Sequence, residues 1–222
     1  MRIGIIVIAV ILNCIGIYLS YTYLEFRKKE THTVTSFFQC SWNPKRFGFC
    51  AGTGLVALLV FLYGRFLADA TLLQCYLNMY VFQWLVLIAY IDWKEQIIPN
   101  QLILAGMVLW GIVTILEVWL GGTPIKTVLL FSLLGAGICG GILLIVAIIA
   151  KSALGMGDVK LFTVLGLLYG VMNTYSILIF TMIFMAVTSL ILLAMKKVTV
   201  KTAIPMAPFV IIGFMVGVLA GM

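Results

Sequence analysis

Long uninterrupted apolar runs leave this chain very few ways to fold. Eight stretches of spanning or near-spanning length occupy residues 3–24, 47–68, 71–91, 98–120, 126–150, 159–172, 175–195 and 203–221. In lipid every backbone N–H and C=O must find its partner within the protein, which restricts spanning segments to helices and closed barrels. A barrel would show short strands alternating apolar and polar, whereas these runs are continuous. The pattern predicts an all-α, polytopic integral membrane protein with about eight transmembrane helices. Composition agrees, with 64% hydrophobic and 9% charged residues and a mean hydropathy of +1.22, where a soluble domain carries roughly 25% charge. The sixth run is the shortest, and Asn173 and Thr174 read as the tight turn that ends it.

The basic residues orient the helices. Arg27, Lys28, Lys29, Lys45 and Arg46 lie in the first loop, and Lys94, Lys151, Lys160, Lys196, Lys197 and Lys201 lie in later loops of the same parity. The opposite side holds Arg2, Arg65 and Lys126. Positive charge is retained on the cytoplasmic side, so the first loop is read as cytoplasmic and both termini as extracytoplasmic. The net charge of +7 is then a topology signal, and no basic run is long enough to predict a nucleic-acid partner. The first run is long for a cleaved signal peptide and no Ala-x-Ala-like site follows it, so it reads as a retained helix with Tyr18, Tyr21 and Tyr23 at the interface. Residues 1–46 form this helix and a short basic loop, and residues 47–222 a seven-helix membrane domain.

Glycines at i,i+4 spacing, Gly137 and Gly141 with Ala136 and Gly140 beside them, and then Gly213, Gly217 and Gly221, are expected to be faces where helices pack closely. Arg65 and Asp69 stand at i,i+4 spacing as a candidate pair. Cys40, Cys50 and His32 fit none of the zinc spacings, and no metal or cofactor is expected.

Seven acidic residues occur in the 222-residue chain, and ionisable groups in or beside a membrane are costly enough to be read as functional. Asp92 ends the third run, in Tyr90-Ile91-Asp92-Trp93-Lys94-Glu95-Gln96-Ile97-Ile98-Pro99-Asn100, with Pro99 expected in the first turn of the next helix. Taken alone it reads as a solvated loop acid beside Lys94. Asp158 follows Gly155-Met156-Gly157, where two glycines free the backbone for conformations closed to other residues; its plainer role is N-cap of the sixth helix. Two spans separate the aspartates, which returns the chain to the same face. Carboxylates sharing one site cannot both ionise easily, so one holds a proton while the other acts as base. Such a pair activates water against a peptide carbonyl with neither metal nor cofactor. The same two acids are open to another reading, a proton- or cation-coupled transporter using them as a relay.

Three segments together resemble the type IV prepilin peptidases, membrane aspartic proteases of the Gly-x-Gly-Asp class: Ile91-Asp92 followed by Ile98-Pro99-Asn100, then Gly155-Met156-Gly157-Asp158-Val159-Lys160-Leu161, and Ile204-Pro205-Met206-Ala207-Pro208-Phe209. The resemblance covers residues 50–222. It implies that Asp92 and Asp158 are the catalytic pair. It further implies that Gly155, Gly157, Lys160, Pro99, Pro205 and Pro208 bind substrate or shape the site. The substrates implied are prepilin-like or pseudopilin precursors with a short basic leader and an apolar N-terminal helix. The leader would be cut after a glycine at the cytoplasmic face of a bacterial inner membrane, in pilus assembly or type II secretion. The first loop departs from the family pattern, because it lacks the paired Cys-x-x-Cys motifs associated with zinc and with N-methylation. A peptidase without methyltransferase activity is therefore expected.

Overall fold

The computed structural model describes residues 2–28, 44–149, 155–196 and 204–221. The readings placed on Lys29, His32 and Cys40, and on Lys151, Lys197 and Lys201, lie outside the described residues, as do the side chains of Arg27, Lys28, Lys45 and Arg46. The described residues form helices and no strand: α1 (Arg2–Lys28), α2 (Pro44–Phe66), α3 (Leu72–Glu95), α4 (Asn100–Gly121), α5 (Ile125–Ile149), α6 (Met156–Ala194) and α7 (Ala207–Leu219). Six of them, α1 to α6, are long and apolar enough to cross a membrane, and α7 is shorter. The chain divides into two compact units, Met1–Leu87 and Ile88–Met222, and the boundary falls within α3.

In the first unit, α1 packs on α2, and polar side chains tie the helices together. Asn13 Nδ2 donates to the Gly54 carbonyl at 2.9 Å, Gln83 Nε2 donates to Asn13 Oδ1, and the Tyr80 hydroxyl donates to the Leu12 carbonyl at 3.2 Å. Interhelical bonds of this kind hold helices together where lipid supplies no hydrophobic drive. The expected Arg65–Asp69 helix pair is not formed as such: α2 ends at Phe66, and Asp69 lies beyond it with φ 50°. The two residues therefore never share a helix face.

The second unit runs from the last turns of α3 through α7. A straight 39-residue helix would extend about 58 Å, nearly twice a hydrocarbon core of about 30 Å, but α6 is not straight. Gly170 breaks it with φ 69° and ψ −171°, a region essentially reserved for glycine. The Thr174 hydroxyl donates to the Leu165 carbonyl at 3.0 Å, nine residues back, which a continuous helix would hold about 13 Å apart. The sixth and seventh apolar runs are thus two arms, residues 156–169 and 171–194. The turn sits at Gly170 rather than at Asn173 and Thr174, which are already helical. Gly170→Ala is expected to destabilise the protein by about 1–3 kcal/mol, and Asn173→Ala by far less. Thermal unfolding in detergent separates the two.

Gly135 of α5 and Gly166 of the first arm meet backbone to backbone, since a Cβ on either would strike the other's main chain. Gly140 leaves room for the Thr163 side chain, whose Oγ1 a Cβ there would strike. These, and not Gly137 and Gly141, make the close crossing; the latter pair faces open space. The reason is a π-helical turn at Ala136–Gly140. In a regular helix residues five apart point about 140° away from each other, and the wider π turn returns Gly135 and Gly140 to one face. Gly213 of α7 fits against Thr181 and the Ile177 carbonyl in the second arm. Tyr169 and Phe214 meet edge-on at 5.9 Å. Leu161, Phe162, Leu165, Ile177, Val210 and Phe214 are buried in this packing.

Candidate active site

Helix α3 does not stop before Asp92. It continues to Glu95, which places Asp92 in the last helical turn, buried at 6% exposure, rather than in a solvated loop. Its Oδ2 accepts the backbone N–H of Ala207 at 3.1 Å. Ala207 is the first residue of α7, and its N-cap, Met206, offers no capping side chain. Helix N-termini leave N–H groups without intrahelical partners and favour negative charge. The Asp92 carboxylate, arriving from another helix, satisfies one of them. Lys94 does not pair with Asp92. It lies over the Tyr90 ring at 4.3 Å from the centroid and donates to the Tyr90 hydroxyl.

Asp158 is not the N-cap of its helix. Gly155 holds that position in extended conformation. Asp158 is the third helical residue, donating its own N–H to the Gly155 carbonyl at 3.0 Å. Its carboxylate lies against Gly155, the cap of the helix. The side chain is half-buried. Asp158 directly follows Gly157, which packs on Ile98, six residues after Asp92. The Asp92 carboxylate is thus held by a backbone donor at the start of α7, and the Asp158 carboxylate lies beside the cap of its own helix.

The glycines act differently from the sequence expectation. Neither Gly155 nor Gly157 has a positive φ. Gly157 matters through space, because a Cβ there would sit 3.0 Å from Ile98 Cβ, so a side chain would require the first turn of α6 or Ile98 to give by a few tenths of an ångström. Lys160 Nζ donates to Asn100 Oδ1 at 2.9 Å, both residues being exposed. Pro99 is buried and is the N-cap of α4, one residue before the helix rather than inside its first turn, with φ −66°. Pro205 precedes α7, and Pro208 is its second residue, where a missing N–H costs nothing.

Sequence reasoning missed Ala207, Ile98 and Asn100. Ala207 contributes a main-chain donor, which leaves no mark on residue type. Asn100 and Ile98 were legible only as neighbours of Pro99. Among the described residues no group of three or more His, Cys, Asp or Glu side chains is arranged to hold a metal ion.

The model of the type IV leader peptidase family matches residues 79–190, half of the chain. That span includes Asp92, Pro99, Gly155, Gly157, Asp158 and Lys160, and ends before Pro205. Among curated proteins and among solved structures, no match was found.

Proposed function

The chain belongs to the type IV leader peptidase family, a family of proteases, and on that premise we propose that it removes short basic leaders from prepilin-like precursors by means of an Asp92/Asp158 dyad. The observation that carries this reading is the packing of Gly157, directly before Asp158, against Ile98 of the linker that leaves α3 just after Asp92, which brings together the helix ends bearing the two carboxylates. One carboxylate takes a proton from water as the water oxygen attacks the scissile carbonyl carbon. The other, protonated, donates to the carbonyl oxygen. Collapse of the tetrahedral species breaks the C–N bond: the departing amine takes up the proton held by the first carboxylate, and one hydroxyl returns its proton to the second carboxylate as the new carbonyl forms. Water supplies the O–H and H that the two products gain, so the dyad returns to its starting state. The two members titrate as a pair. The relay reading gains nothing from the family match.

The finer topology belongs to the same proposal. Counting the two arms of α6 separately and including α7 gives eight spans, with a seven-helix peptidase domain over residues 47–222. The excess of basic residues in loops of one parity puts the aspartates at the cytoplasmic face and both termini outside. Gly157 supports the approach of Asp158 to α3, and Pro99, Pro205 and Pro208 set where α4 and α7 begin near the dyad.

Purified protein incubated with a prepilin-like precursor is expected to cut it after the leader glycine. Mass spectrometry is expected to find the new N-terminus without an added methyl group in the presence of S-adenosylmethionine. An intact precursor would end the peptidase reading, and a methylated product would end the peptidase-only reading.

A further inference from the structure

Asp92 and Asp158 lie 66 positions apart, yet one short segment touches the helices of both. The linker at residues 96–100 leaves α3 one turn after Asp92, and the Gln96 N–H closes onto the Asp92 carbonyl at 2.8 Å. Buried Pro99, with its ring-fixed φ, then turns the chain into α4. Two contacts join this linker to the first turns of α6. Ile98 packs against the bare Cα of Gly157, directly before Asp158. Asn100 accepts from the Lys160 ammonium at 2.9 Å, two residues after Asp158. The contacts therefore bracket Asp158 on both sides.

Lys160 is placed for this task and not for pairing with its neighbour. Residues two apart on a helix do not face each other, so its ammonium points away from the Asp158 carboxylate and towards α4. Its acceptor is an amide, so the bond adds no third carboxylate beside the dyad. A charge-assisted hydrogen bond is also stronger and better localised than a neutral one.

We propose that the 96–100 linker is a brace that sets the separation of Asp92 and Asp158, with Lys160 and Asn100 as its positioning residues. The proposal rests on the dyad reading for its consequence in catalysis, but its geometry stands apart from it. Neither residue needs to touch the substrate. Each acts through Asp158.

The test uses the full chain in lipid, with the native cysteines replaced by alanine and nitroxide labels at Trp93→Cys and Met156→Cys. Both positions are exposed, one residue after Asp92 and two before Asp158. In the parent, the label-to-label distance distribution is expected to be narrow. Lys160→Met, Asn100→Leu and the double variant are expected to broaden it to the same extent, because the first loss already opens the pair. Asn100→Asp keeps the acceptor and is expected to preserve the parent distribution. On unlabelled protein, each single loss is expected to lower kcat about tenfold, the effect of one charge-assisted bond, with KM within about twofold and no further fall in the double variant. Unchanged distances in Lys160→Met and Asn100→Leu, or losses in kcat that add in the double variant, would overturn the brace. If the parent itself cleaves nothing, the peptidase reading has failed, and the distance distributions alone decide the brace.

Discussion

Asp92→Asn and Asp158→Asn are each expected to abolish leader cleavage, lowering kcat by about a thousandfold or more, while the protein remains folded. General acid–base catalysis contributes roughly 10²–10⁴-fold, and here both proton transfers depend on one coupled pair. An asparagine amide cannot take a proton from water, nor can it donate one as a carboxylic acid does. Asparagine does keep an oxygen where Asp92 Oδ2 accepts the Ala207 N–H, so the start of α7 retains its partner. At position 158 an amide fills the same space beside Gly155. Residues that act as a unit are strongly non-additive, so the double variant is expected to be no slower than either single one. Cleavage of a precursor peptide, with thermal unfolding in detergent as the control for folding, measures both parts. Near-normal turnover by either folded single variant would rule out a dyad. Losses that multiply in the double variant would mean that the two aspartates act at separate steps.

What could be read from the chain beforehand divides along a physical line. Apolar runs and isolated charges are properties of residue type, so the helical class and the two aspartates were visible. The ends of the runs were less so. The apolar run stops at Ile91, yet α3 continues to Glu95, because helix hydrogen bonding does not stop where hydropathy does. The turn inside α6 was placed at the polar pair Asn173–Thr174, whereas the break is at Gly170. A glycine among Leu168, Tyr169 and Val171 carries no hydropathy signal, and only its backbone conformation gives it away. The site depends on contacts that sequence distance conceals. Asn100 and Lys160 are sixty residues apart, and the donor from Ala207 to Asp92 is a main-chain N–H from a residue 115 positions away. The value of Gly157 was expected to lie in backbone freedom and lies instead in the absence of a Cβ beside Ile98.

The same absence governs the crossing that seats the first arm of α6, and there a single methyl group is expected to have the second largest effect. A Cβ at Gly166 would lie 2.5 Å from the carbonyl carbon and oxygen of Gly135, and one at Gly135 would strike the Gly166 carbonyl oxygen. Flexible side chains can yield by rotating, but here the obstacle is backbone on both sides, so the helices themselves must part. Overpacking of a tight core costs typically 1–3 kcal/mol, and without a side chain to move, Gly166→Ala is expected to reach about 3 kcal/mol or more. Gly137→Ala, two residues along α5 from Gly135, meets nothing within 4 Å and is expected to change stability by less than about 0.5 kcal/mol. The contrast tests the π turn directly, since a regular α-helix through residues 136–140 would turn Gly135 and Gly140 to different faces. Unfolding midpoints of the two variants in one detergent decide it: equal midpoints would remove the Gly135–Gly166 crossing. Because the arm that carries Gly166 begins at Met156 and holds Asp158 in its first turn, parting the helices there also moves the carboxylate. Gly166→Ala is therefore expected to lose cleavage activity even at temperatures where it remains folded, whereas Gly137→Ala keeps it.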